Sequence, residues 1–160
     1  MTVSENHIAI IDDDPDVCRA LARLLRSSSY DVRTYGSASE FIDSLEVQVP
    51  YCLLTDLQMP EMSGEELLHL LADTGFRIPT IILTAHDQDG TQERCRRAGA
   101  MAFLVKPVSA DQLLGTIEQS LLTSGEARLS PSAPESDAQS LAERSTSERP
   151  LLLRKTGTSR

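Results

Sequence analysis

The chain has 160 residues, 40% of them hydrophobic and 24% charged, which is enough for one ordinary domain with a real core plus an appendage. Its net charge of −9 is uneven: residues 1–122 hold nine Lys and Arg against nineteen Asp and Glu, a net of −10, and residues 123–160 hold six against five, a net of +1. An acidic domain is a poor match for nucleic-acid phosphates, which argues against direct DNA or RNA binding by residues 1–122.

Residues 8–122 alternate short β-rich runs with helical stretches. The first run, IAII at 8–11, is continuously apolar, as a strand buried on both faces should be. Asp14 and Pro15 then offer an N-cap acceptor and a proline at the first helical position, and Val17, Leu21, Leu24 and Leu25 follow at helical spacing. The second run, 32–35, lies in DVRTY, whose alternation suits a sheet edge. Ser37 with Glu40 has capping-box spacing and opens a helix expected over 38–46. A third run spans 51–55, and Ser63 with Glu66 opens a helix over 64–74. The fourth run, 80–84, holds the apolar stretch TIIL and is followed by a weakly apolar helix near 88–98, with QERCRR facing outward. The fifth run is 102–105, and Ser109 with Gln112 opens a last helix over 110–122.

Five strand-then-helix units imply a parallel sheet, because parallel strands need crossovers and right-handed crossovers place helices on both faces. The expected fold is therefore a doubly wound, flavodoxin-like α/β domain with strand order 2-1-3-4-5, which puts the alternating second strand at an edge. From Thr123 onward the chain holds twelve Ser and Thr and three Pro in 38 residues with sparse apolar residues. A disordered Ser/Pro-rich tail over 123–160 is expected. DAQSLAER within it could form a turn or two of transient helix, and LLLRK is a short sticky patch.

No stretch approaches the ~18 consecutive apolar residues of a membrane span, and MTVSENH at the start lacks the charged-then-apolar pattern of a secretory signal. Cys18, Cys52 and Cys95 have no metal-like spacing and an odd count, so they read as reduced, mostly buried thiols. A soluble, cytoplasmic protein without membrane partners is expected.

In an open α/β sheet, ligands bind beyond the carboxyl ends of the strands, where the strand order reverses. Those ends carry Asp12, Asp13 and Asp14 after the first strand, Asp56 after the third, Thr84 after the fourth, and Lys106 with Pro107 after the fifth. Three carboxylates, Asp12, Asp13 and Asp56, gathered at one rim repel one another unless a cation joins them. Oxygen ligands with no His or Cys nearby favour Mg²⁺. Lys106 is the one lysine in residues 1–122, able to pair with a carboxylate at rest and with a phosphoryl oxygen later. Thr84 adds a hydroxyl donor. A nucleophilic carboxylate, a divalent ion, a lysine and a hydroxyl are the parts that phosphoryl transfer asks for.

IIDDDPDV, LLTDLQMPEMSGEELL, IPTIILTAHD and GAMAFLVKPVSADQLL together resemble the receiver (CheY-like) domain of bacterial two-component response regulators, most closely the nitrogen-fixation-type subgroup. The resemblance covers residues 8–122. It implies that Asp56 accepts a phosphoryl group from a histidine kinase or a histidine phosphotransfer protein. It implies Mg²⁺ held by Asp13, Asp56 and the backbone carbonyl of Gln58, with Asp12 close by or acting through water, and a cis peptide between Lys106 and Pro107. Phe103 matches the family's switch position, where an aromatic ring swings inward on activation. The face built by 88–122 would then recruit a protein partner or a second copy. Gln58 and His86 hold the positions that tune phosphoryl lifetime. Outside this set, His7 reads as a solvated terminal residue, His69 as a partly buried packing residue, and Met59 and Met62 as loop packing.

A phosphohydrolase of the haloacid-dehalogenase type also uses an Asp after a strand with Thr, Lys and Mg²⁺, but its general acid and base is a second Asp two residues on, where this chain has Gln58. A non-phosphorylated pseudo-receiver conflicts with the complete set of Asp12, Asp13, Asp56, Thr84 and Lys106. Helix-turn-helix output domains are common in the closest subgroup, yet nothing after 122 has their periodicity. The expectation is a stand-alone receiver, an N-terminal fragment of a transcription factor being the alternative.

Overall fold

The computed structural model describes residues 7–129. Five parallel strands, β1 (Ile8–Ile11), β2 (Val32–Tyr35), β3 (Cys52–Asp56), β4 (Thr80–Thr84) and β5 (Ala102–Val105), form one sheet in the order β2-β1-β3-β4-β5. Five helices connect or follow them: α1 (Pro15–Ser27), α2 (Ala38–Ser44), α3 (Gly64–Asp73), α4 (Thr91–Ala98) and α5 (Ala110–Leu129). This is the expected CheY-like doubly wound fold. Every residue of β1 and β4 is buried, whereas in the edge strand β2 only Val32 is, so continuous apolar runs mark the strands covered on both faces.

The pleat of the central strands divides the core. Ile8 and Ile10 of β1 pack with Cys52, Leu54, Ile81 and Leu83 beneath α1 and α5. Ala9 and Ile11 face the other way, toward Phe41 of α2 and Leu67 and Leu71 of α3. A third group, Leu57, Leu68, Ile82, Cys95, Ala98 and Ala100, fills the space under α4 with Phe103 against it. All three thiols are free and buried.

Side-chain caps fix where four helices begin. Asp14 accepts from the Asp16 N–H at 2.9 Å ahead of Pro15, and Ser109 accepts from the Gln112 N–H at 3.1 Å. Ser63 and Glu66 form a complete capping box. The Ser37 site is half a box: Ser37 accepts from the Glu40 N–H, but the Glu40 carboxylate takes its bond from Gly36 N–H at 2.8 Å. Helix α4 has no side-chain cap and is bracketed by left-handed Gly90 (φ 83°) and Gly99 (φ 116°).

The differences from expectation are local. In α1 the buried residues are Cys18, Ala22 and Leu25, so Val17 lies beside the apolar stripe rather than in it. Helix α4 starts at Thr91 because residues 85–90 remain an exposed loop up to Gly90. Helix α5 continues to Leu129, seven residues past its expected end and through Gly125; the rest of the expected tail, 130–160, lies outside the described residues. His69 is exposed on α3 rather than partly buried, because Leu67, Leu68 and Leu71 already supply the inward face. His7 is the larger correction: it is 0% exposed. Its carbonyl accepts from Tyr51 N–H at 3.0 Å, and the next residue, Ile8, donates to the Asp31 carbonyl at 2.8 Å, so flanking strands hold a residue that its position alone would leave frayed.

Candidate phosphoacceptor site

Strand register decides which side chains meet. Ile11 pairs with Thr55, Asp56 with Leu83, and Thr84 with Val105, so the next residues, Asp12 and Lys106, emerge at the same rim as Asp56 and Thr84. Ligand oxygens of Asp12, Asp13 and Asp56 lie within 4.8 Å of one another. Lys106 Nζ donates to Asp12 Oδ2 at 3.0 Å and stands 3.8 Å from Asp56 Oδ1. Asp12 is 3% exposed and Asp13 is exposed, so the two neighbours differ: one lies under the mouth and the other on its lip.

The Asp56 carboxylate is held from its own backbone by the Leu57 N–H, which donates to Oδ1 at 2.9 Å. Burial pushes its pKa above the ordinary carboxylate range; Lys106 opposes this, Asp12 reinforces it, the Leu57 N–H opposes it, and Asp13 reinforces it. A carboxylate so placed is a site where a divalent cation lowers the free energy. The donor set fits Mg²⁺: three close carboxylates, with no imidazole or thiolate among the ligands.

The loop after Asp56 is tightly determined. Leu57 N–H donates to the Leu83 carbonyl, which carries the β3–β4 ladder one step beyond Asp56. Met62 N–H donates to the Pro60 carbonyl at 2.8 Å with Glu61 at φ 72° between them, a rare and strained three-residue turn. Gly64 opens α3 directly on the Asp56–Leu57 peptide: its N–H donates to the Leu57 carbonyl at 2.8 Å. A Cβ there would stand 2.7 Å from the Asp56 carbonyl oxygen and 3.2 Å from Leu57 Cα. Met59 and Met62 pack on the α2–α3 side of the core as expected.

Thr84 is 1% exposed, and its hydroxyl donates to the His86 carbonyl at 3.0 Å while accepting from the His86 N–H at 3.2 Å. This hydroxyl is committed to the β4–α4 loop rather than to Asp56. Gln58 and His86 side chains are exposed beside the mouth. The Lys106–Pro107 peptide is cis. Phe103 is half-buried on β5.

Sequence reasoning did not find the Leu57 N–H on Asp56 or the thiol of Cys18, which reaches the Asp12 carbonyl at 3.4 Å from beneath the acidic turn. The first is a main-chain bond that any residue could supply. The second had a signal in the i, i+6 separation of Asp12 and Cys18 across a strand-to-helix turn, but cysteine at that place also reads as plain packing.

The family model described as response regulator receiver domain matches residues 8–118. The chain is 36% identical over 121 residues to the response regulator protein TmoT of Ectopseudomonas mendocina, covering 76% of this chain and 55% of that protein. It is 34% identical over 112 residues to the transcriptional regulatory protein FixJ of Rhizobium meliloti, covering 70% and 55% respectively. The chain thus spans about half the length of these curated relatives. A crystal structure of FixJ-N superposes with a TM-score of 0.68 at 32% identity, covering 75% of this chain and 96% of that one. Among the described residues no helix is long and apolar enough to cross a membrane. With the sheet order, the acidic mouth and these likenesses together, the chain belongs to the response regulator receiver domain family.

Proposed function

We propose that Asp56 accepts a phosphoryl group from the phosphohistidine of a histidine kinase or histidine phosphotransfer protein, in a Mg²⁺-dependent reaction. The observation that carries this reading is the meeting of Asp12, Asp13 and Asp56 within 4.8 Å with Lys106 Nζ 3.8 Å from Asp56. Asp13, Asp56 and the backbone carbonyl of Gln58 would hold the ion with Asp12 alongside. Bound there, Mg²⁺ supplies charge neutralisation for the phosphoryl oxygens.

In the transfer, an Asp56 carboxylate oxygen bonds to phosphorus as the phosphorus–nitrogen bond breaks; the donor imidazole leaves with that electron pair and, where the second nitrogen is already protonated, departs neutral. Lys106 pairs with a phosphoryl oxygen, and Thr84 exchanges the His86 carbonyl for the same anionic group, a stronger charge-assisted bond. That exchange frees the start of the β4–α4 loop and vacates room for Phe103 to move inward. The face built from 88–122 then changes shape for a downstream protein or a second copy. Gln58 and His86, exposed at the mouth, set how readily water reaches the acyl phosphate. The role is that of a signalling phosphoacceptor rather than an enzyme turning over a substrate, and residues 1–122 carry it without contacting nucleic acid. The reduced thiols fit a cytoplasmic setting.

Phosphoramidate, a small phosphorus–nitrogen donor, tests the proposal. With Mg²⁺, backbone amide resonances of residues 84–106 should shift together with those of the Asp56 loop, and none should shift in Asp56→Asn. Shifts confined to the Asp56 loop would remove the proposed route to the 88–122 face.

A further inference from the structure

The three histidines of the chain are His7, His69 and His86, and two of them are exposed. His7 is fully buried, and neither Nδ1 nor Nε2 has a hydrogen-bond partner among the described residues. Unpartnered buried polar atoms are rare, because each forfeits its bonds to water. The imidazole can tolerate this only while neutral; a buried imidazolium would carry a full charge and two unmet N–H donors.

The surroundings offer little relief. Carried one residue back from Ile8, the alternation of β1 places His7 on the face of Ala9 and Ile11, which pack toward α2 and α3. Those helices turn apolar side chains inward, Leu45 and Leu71 near that end, while Asp43, Glu46, Asp73 and Arg77 are exposed. From β3 the neighbour is Tyr51, joined through its backbone N–H. From the β2 side the charged groups acting on the ring are Arg33, which opposes protonation, and Asp31, which favours it more weakly. Burial is the largest influence and acts in the same direction as Arg33.

We propose that His7 is a proton-sensitive latch at the base of the sheet: neutral, it closes the amino ends of β1, β2 and β3, and on protonation it leaves the core and unpins them. The backbone bonds at stake are Tyr51 N–H to the His7 carbonyl and Ile8 N–H to the Asp31 carbonyl. Strand β1 is only four residues long, and Asp12 follows its other end. Opening the base therefore loosens the strand that places an acidic residue of the mouth. The folded pKa of His7 lies below the ordinary 6.5, so the unfolded chain binds the proton first. Stability is fully present above about pH 6.5 and is lost as pH falls toward the folded value. The latch is independent of the phosphoacceptor reading.

Urea unfolding of the full chain at about pH 7.5 and about pH 5.5, wild type against His7→Phe, isolates the effect, since carboxylate titration is common to both. The wild-type unfolding constant should rise more on acidification than that of the variant, by up to about tenfold, the limit set by an unfolded histidine titrating near 6.5. Equal pH dependence in the two proteins would overturn the latch. Should His7→Phe not fold, the imidazole C–H resonance of His7 in the wild type decides: it is expected to stay at the neutral position at a pH where a solvated imidazole is protonated. Titration at or above about 6.5 would overturn the proposal.

Discussion

At the scale of single residues, Asp56 is held in a state that is unfavourable until something arrives. Burial raises its pKa from the ordinary 3.8, so the native state binds this proton more tightly than the unfolded chain does. Its ionised form lowers stability at neutral pH, and that loss fades as pH falls through the raised folded value toward 3.8. Without metal, Asp56→Asn should therefore unfold at a higher temperature than wild type near neutral pH, and the gap should close toward pH 4, as thermal melts in a chelator would measure. Gly64 makes the opposite kind of demand. Because a Cβ there meets the Asp56 carbonyl at 2.7 Å, Gly64→Ala should destabilise by about 1–3 kcal/mol and slow phosphorylation, read as the rate of acyl-phosphate formation alongside the urea midpoint. The rim residues Asp12, Asp13, Asp56, Thr84 and Lys106 were legible in the sequence because each ends a readable strand or stands within two residues of its end. His7 was not, because nothing in MTVSENH distinguishes a frayed end from a residue clasped by strands that arrive 24 and 44 residues later, at Asp31 and Tyr51.

At the scale of elements, caps and glycines place the functional loops. The complete box of Ser63 and Glu66 anchors the end of the strained loop that begins at Asp56. Ser63→Ala should cost about 1 kcal/mol in chemical denaturation. The half-box at Ser37 shows what spacing alone leaves open: Ser-x-x-Glu was visible, but whether Glu40 turns to Ser37 or to Gly36 depends on the local path of the chain. Helix α4, uncapped and set between two left-handed glycines, is the element whose start the sequence placed least well. It also begins just beyond the Thr84–His86 bonds that activation is proposed to break.

At the scale of the molecule, strand order was legible because β1 and β4 read as buried on both faces while β2 alternates, and only one end of such a sheet can gather the polar strand ends. The exact bonds across that mouth were not, since Lys106 choosing Asp12 at 3.0 Å over Asp56 at 3.8 Å depends on side-chain geometry. A mouth that concentrates negative charge makes the whole fold responsive to a divalent ion. Mg²⁺ should raise the thermal midpoint of wild type in proportion to saturation, and the shift should shrink sharply in Asp13→Asn, as a titration followed by melting would show.

The central claim is that the acidic mouth delivers one phosphoryl group to Asp56. Incubation of the full chain with acetyl phosphate and Mg²⁺, followed by intact-mass measurement, tests it most directly. The account predicts addition of a single phosphoryl group to the wild type and none to Asp56→Asn. An unmodified wild type, or equal labelling of the variant, would contradict it.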